Sequence, residues 1–133
     1  VKYLLDTDTL SCVSRGEHPA LTARVLNSPP EDLAMSVVSR GEAEFGLRAA
    51  PPRRDTERRL RGLLANLQCL PLSEGAAIEY GDIRSALQRA GTPIGANDMW
   101  IAAHARSLGL TVVTHNTREF SRVERLKVED WLA

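Results

Sequence analysis

Short unbroken apolar runs alternate along this chain with longer stretches in which apolar residues recur every three or four positions. Residues 2–5, ending on Leu4-Leu5, read as a short buried strand, followed by helical segments at 7–14 and 19–28. His18-Pro19 marks a helix boundary and Pro29-Pro30 ends the second helix. Leu33-Ala34-Met35-Ser36 is a second strand leading into a helix over 37–50, on which Val38, Glu42, Phe45 and Ala49 keep the rhythm of one face. That register predicts that Glu42 points where the apolar residues point. After Pro51-Pro52, Leu60, Leu63, Leu64 and Leu67 form the inward stripe of an Arg-rich helix. Cys69-Leu70-Pro71-Leu72 is a third strand candidate. Ser73 is placed to cap a helix carrying Ala76, Tyr80, Ile83 and Leu87 at helical spacing. A turn over 91–95 precedes a helix over 96–108 closed by Gly109. Thr111–Thr114 is a fourth strand, and an extended piece around Leu126-Lys127-Val128 completes the pattern.

Strands alternating with helices predict a parallel sheet covered on both faces by right-handed crossovers. The expected fold is α/β: one α/β/α domain over residues 1–133 around a mostly parallel sheet of four to five strands. A chain of 133 residues buries roughly 65–70% of its unfolded surface, enough for a core without staples.

Three acids interrupt this pattern where a solvated charge has no reason to stand. Asp6 follows Leu4-Leu5 directly, at the carboxyl edge of the first strand, where open α/β sheets build their sites. It is equally suited to cap the next helix, a role open to Thr7 and Asp8 as well. Asp98 opens the inward face continued by Ile101, Ala102 and Ala105, with Asn97 the better capping candidate. Glu42 lies mid-helix with no Arg at i±3 or i±4, so burial there carries a desolvation cost that a cation would remove. Hard divalent ions such as Mg²⁺ take oxygen ligands of this kind, and such clusters act on phosphodiesters by activating water.

Composition adds little. Lys plus Arg equals Asp plus Glu at 17 each, which selects no class of partner, though every cation except Lys2 and Lys127 is Arg, a residue suited to phosphate. Cys12 and Cys69 lack any metal or disulfide spacing and read as two buried, reduced thiols. No apolar stretch approaches the ~20 residues of a membrane span, and the first residues lack a signal-peptide layout, so a soluble, cytoplasmic protein is expected.

The pieces Leu4-Leu5-Asp6-Thr7, Ser39-Arg40-Gly41-Glu42 with Phe45-Gly46, Pro93-Ile94-Gly95-Ala96-Asn97-Asp98, Ile101–Ala105, Thr114–Phe120 and Val128–Trp131 together resemble the PIN-domain ribonucleases, and within them the VapC-type toxins. The resemblance spans nearly the whole chain. It implies that Asp6, Glu42 and Asp98 are metal-binding acids, with Thr7 and Asp8 as supporting residues beside them. The family's fourth acid falls at position 116, where this chain has Asn116, able to hold a metal-bound water but bringing no charge. Its replacement by Asp is expected to tighten metal binding. Glu119 either compensates or is a solvated residue beside Arg118, the reading preferred here. The resemblance further implies Mg²⁺- or Mn²⁺-dependent endonucleolytic cleavage of structured or looped RNA, tRNA or rRNA, a homodimer, and a small cognate antitoxin whose C-terminal segment lies across the toxin.

Two rival readings share these residues. Leu5-Asp6-Thr7-Asp8-Thr9 also resembles the start of a haloacid-dehalogenase-like phosphatase, with Asp6 as nucleophile and Asp8 as acid/base. Lys127, however, stands too near the C-terminus for that family's lysine. A non-catalytic partner-binding module would leave the register of Glu42 without a reason.

Overall fold

Strand β1 (Tyr3–Leu5) alternates between two hydrophobic cores, and this one feature organises the molecule. A computed structural model describes residues 1–132. In it, β1 lies at the centre of a five-stranded, all-parallel sheet with β2 (Leu33–Ser36), β3 (Gln68–Leu70), β4 (Thr111–Val113) and β5 (Lys127–Glu129), in the order β3-β2-β1-β4-β5. Leu4 pairs in register with Ala34 and Val112, and Leu5 with Met35 and Val113. The first trio faces one core and the second trio the other, so both faces of the central strands are dry. This is why these strands read as unbroken apolar runs.

Helices α5 (Glu74–Ala90) and α6 (Ala96–Leu108) cover the first face with Ile83, Leu87, Ile101, Ala102 and Ala105. The second is covered by α1 (Thr7–Arg15), α2 (Pro19–Asn27) and α4 (Arg54–Asn66), through Leu10, Val13, Leu21, Val25, Leu60 and Leu64. Between the layers, α3 (Val37–Ala49) touches both α1 and α6. The expected caps form at Ser73, whose hydroxyl accepts from the Ala76 N–H, and at Gly109 in the left-handed region with φ 68°. No helix among the described residues is long and apolar enough to cross a membrane.

Several expectations need correction. The third strand is Gln68–Leu70, because Pro71 has no N–H to continue the ladder. A single 3₁₀ turn over Pro30–Asp32 and a one-turn helix α7 (Thr117–Phe120) are too short to leave a periodic signal. The thiols are free as expected, but Cys12 is half-buried and Cys69 is exposed, since β3 is an edge strand.

The buried stripe of α3 is Ser39, Ala43 and Leu47, one position out of phase with the predicted face. Phe45 is 73% exposed and Glu42 is half-buried at the border. The apolar register that singled out Glu42 is therefore the wrong one. What places this acid is the contact of α3 with α1.

A carboxylate cluster at the carboxyl edge of the sheet

The strand order reverses at β1, whose neighbours are β2 on one side and β4 on the other, so the crevice between the carboxyl ends of β1 and β4 is the sheet's switch point. Asp6 leaves the first of these ends and Thr114 the second. Asp6 is 2% exposed, and its backbone N–H donates to Val113 O. Its Oδ1 accepts from the Thr9 N–H at 2.9 Å, capping α1. The carboxylate therefore caps α1 while standing at the carboxyl edge of the sheet. Burial pushes its carboxyl above the usual range, against hydrogen bonds from Thr114 and Thr9 that hold it down.

Asp98 stands half-buried in the first turn of α6, a helix buried at Met99 and at every position from Ile101 to Ala105 rather than along the predicted stripe alone. Asn97 does not cap this helix; Gly95 occupies the cap position without a side-chain bond. Burial, then the negative charges of Glu119, Asp6 and Glu42, push the Asp98 carboxyl up to about 7. Asp98 thus feels the charges of the two sequence-distant acids, Asp6 and Glu42, and of a further one, Glu119. Among the described residues none of the four enters an ion pair.

Glu42 solves its desolvation problem through a hydroxyl. Thr7 Oγ1 donates to Glu42 Oε1 at 2.5 Å and also lies 3.1 Å from Ser39 Oγ. A hydroxyl has one proton, and an ionised carboxylate can only accept, so Ser39 supplies the proton of the second contact. Thr7 is the first residue of α1, and this bond ties α1 to α3 beside the site.

Glu119 is not the solvated neighbour of Arg118 that the sequence favoured. Asn116 Nδ2 donates to Glu119 Oε2 at 2.5 Å, while the Asn116 backbone N–H donates to Thr114 Oγ1 at 2.9 Å. Of the neighbouring charges that raise the Asp98 carboxyl, that of Glu119 has the largest effect. Thr114, 1% exposed, was missed as a site residue. A Thr at a strand end carries no sequence signal of its own.

Asp8 lies close enough to Asp6 for its negative charge to add to the upward push on that carboxyl. It is exposed on the first turn of α1, and residues two apart near a helix start face different sides.

The donor set consists of hard oxygens, which suits Mg²⁺ or Mn²⁺. Among the described residues no three His, Cys, Asp or Glu side chains enclose a common point tightly enough to hold an ion as they stand. Mg²⁺ does not need three; it is commonly held by one or two carboxylates and keeps several waters. Beside the cluster, Thr7, Val37, Val38, Gly41, Glu42, Phe45 and Asn97 border an open hollow of about 670 Å³.

Comparison with known proteins identifies the family of the fold. The family model of the PIN domain matches residues 3–126. The tRNA(fMet)-specific endonuclease VapC of Salmonella typhimurium is 35% identical over 132 residues, 98% of each chain. Among solved structures, VapBC-1 from nontypeable Haemophilus influenzae superposes with a TM-score of 0.86 at 31% identity, covering 100% of both chains. VapBC2 from Rickettsia felis, bound to a DNA fragment from its promoter, gives 0.88 at 26% identity, covering 98% of this chain and 99% of that one.

Proposed function

Since this chain belongs to the PIN-domain family and is similar over its whole length to VapC ribonucleases, we propose that it is the ribonuclease toxin of a toxin–antitoxin pair, cutting RNA at the carboxylate cluster with Mg²⁺ or Mn²⁺. The observation that carries the metal-dependent reading is the Asp98 carboxyl. It is pushed to about 7 by burial and by three neighbouring carboxylates, with no cation paired to any of them among the described residues. A divalent ion is the group that would relieve this arrangement.

Asp6 and Asp98 are the proposed principal ligands, with Glu42 and Glu119 completing the acidic ring. A bound divalent ion would supply a nucleophilic water at neutral pH and offset charge building on the scissile phosphate. The chain's own part is orientation. The Thr9 N–H holds Asp6, the Thr7 hydroxyl holds Glu42, and the hollow bordered by Glu42 and Phe45 leaves room for an unpaired nucleotide. The Salmonella relative's name makes structured RNA, tRNA in particular, the substrate class to examine first.

The antitoxin is proposed to lie in the groove between α2 and α4, an apolar hollow of about 400 Å³ bordered by Val25, Leu26, Leu33, Leu63 and Leu67. Leu26 is 72% exposed on its rim, the kind of anchor an amphipathic segment would cover. A homodimer is part of the same proposal.

The deciding experiment incubates purified protein with total tRNA and Mg²⁺ or Mn²⁺, with chelator controls, and maps the new 5′ ends. Discrete cleavage that disappears with chelator and with Asp98→Asn is the expected result. Cleavage that survives both would overturn the metal-dependent reading.

A further inference from the structure

The geometry points to Asn116 as a positioning residue whose amide fixes the Glu119 carboxylate beside Asp98, rather than a stand-in ligand at the place of a lost acid. The inference rests on the metal-dependent reading above and deepens it. Asn116 is held at both ends. Its N–H donates to the buried Thr114 hydroxyl, its carbonyl accepts from the Phe120 N–H at 3.3 Å, and Phe120 is fully buried. The turn carrying Glu119 is thereby pinned to the end of β4. Residues three apart on such a turn share a side, and Asn116 Nδ2 meets Glu119 Oε2 at 2.5 Å.

An amide donates where an aspartate can only accept. An Asp at 116 would set two carboxylates against each other in place of this bond and release Glu119 from its partner. The neutral amide also leaves the negative charge of Glu119 in the cluster, where an Arg or Lys partner would cancel it. Asn at 116 and Glu at 119 thus act as a pair: one orients, the other supplies the charge.

The test is a double-mutant cycle read by calorimetric Mn²⁺ binding to the full chain, with tRNA cleavage as a second readout. Asn116→Ala and Asn116→Asp are each expected to weaken Mn²⁺ binding by about 10–100-fold, the usual effect of removing an outer partner of a ligand. Asn116→His keeps an N–H donor at similar reach and should retain most of the affinity. In the Glu119→Gln background, Asn116→Ala should add no further loss, because the residue acts only through Glu119. Thermal melting of each metal-free variant checks that it is folded. Tighter or unchanged Mn²⁺ binding by Asn116→Asp, or full additivity in the cycle, overturns the positioning role alone. A wild-type protein that takes up no Mn²⁺ overturns the metal-dependent reading and this inference with it.

Discussion

Thr7 Oγ1 donates to Glu42 Oε1 at 2.5 Å, so the first residue of α1 fixes an acid that lies 35 positions away on α3. Replacing Thr7 by Val keeps the shape and removes the donor, leaving a half-buried carboxylate without this partner. RNA cleavage should fall by about 10–100-fold, while Thr7→Ser should hold near wild type. Steady-state cleavage rates of the two variants check this; equal rates would detach Thr7 from the site.

Asp98 makes metal-free stability fall as pH rises. Its folded pKa, about 7, lies above the ordinary 3.8. The stability it contributes is therefore fully present below about pH 3.8 and is lost as pH rises through about 7. Asp98→Asn removes this dependence and should gain on the order of 1–3 kcal/mol over wild type at pH 8. Chemical denaturation with chelator present, at pH 5 and pH 8, measures the difference. Added Mg²⁺ should stabilise the wild type and not the variant.

His104 gives the opposite slope. It is 1% exposed, its Nδ1 lies 2.8 Å from Ser36 Oγ, and burial depresses its pKa below the ordinary 6.5. Its contribution is present above about 6.5 and is lost as pH falls through the depressed folded value. His104→Gln should flatten the acid limb of the stability curve. Ser36→Ala removes both the partner of His104 and the cap of α3, and should cost about 1–3 kcal/mol at neutral pH. Urea titrations across pH 5–7 check both variants.

Leu26→Glu tests the groove between α2 and α4. The side chain is largely exposed, so folding and RNA cleavage should be unaffected, while a charge on an apolar rim should weaken antitoxin binding by about 10-fold or more. Co-expression with the cognate antitoxin should then fail to rescue growth. Full rescue would move the antitoxin to another surface.

The sequence carried the sheet and helices well because β1, β2 and β4 are buried on both faces and leave unbroken apolar runs, while α4 and α5 keep clear periodic stripes. The placement of Asp6 at a strand end and of Asp98 in a first helical turn was legible because each adjoins an apolar segment. Glu42 was found through a register the structure does not use; its true determinant is the Thr7 bond between two helices, which no local pattern reports. Glu119 was undervalued for the same reason. Its meaning lies in the amide of Asn116 and the carboxyl of Asp98, and a four-residue helix has too little periodicity to orient it in advance.

The central place of β1 also bears on synthesis. Strand β1 precedes both of its neighbours, β2 and β4, in the chain, and β4 ends only at Val113. A growing chain that has not yet extruded β4 and the turn holding Glu119 has three of the five strands and lacks one of the four acids. Such long-range pairing delays folding until most of the polypeptide is available. A ribosome-bound or prematurely terminated fragment would therefore lack an assembled site, which would form only in chains where β4 has paired beside β1 and α7 has followed it.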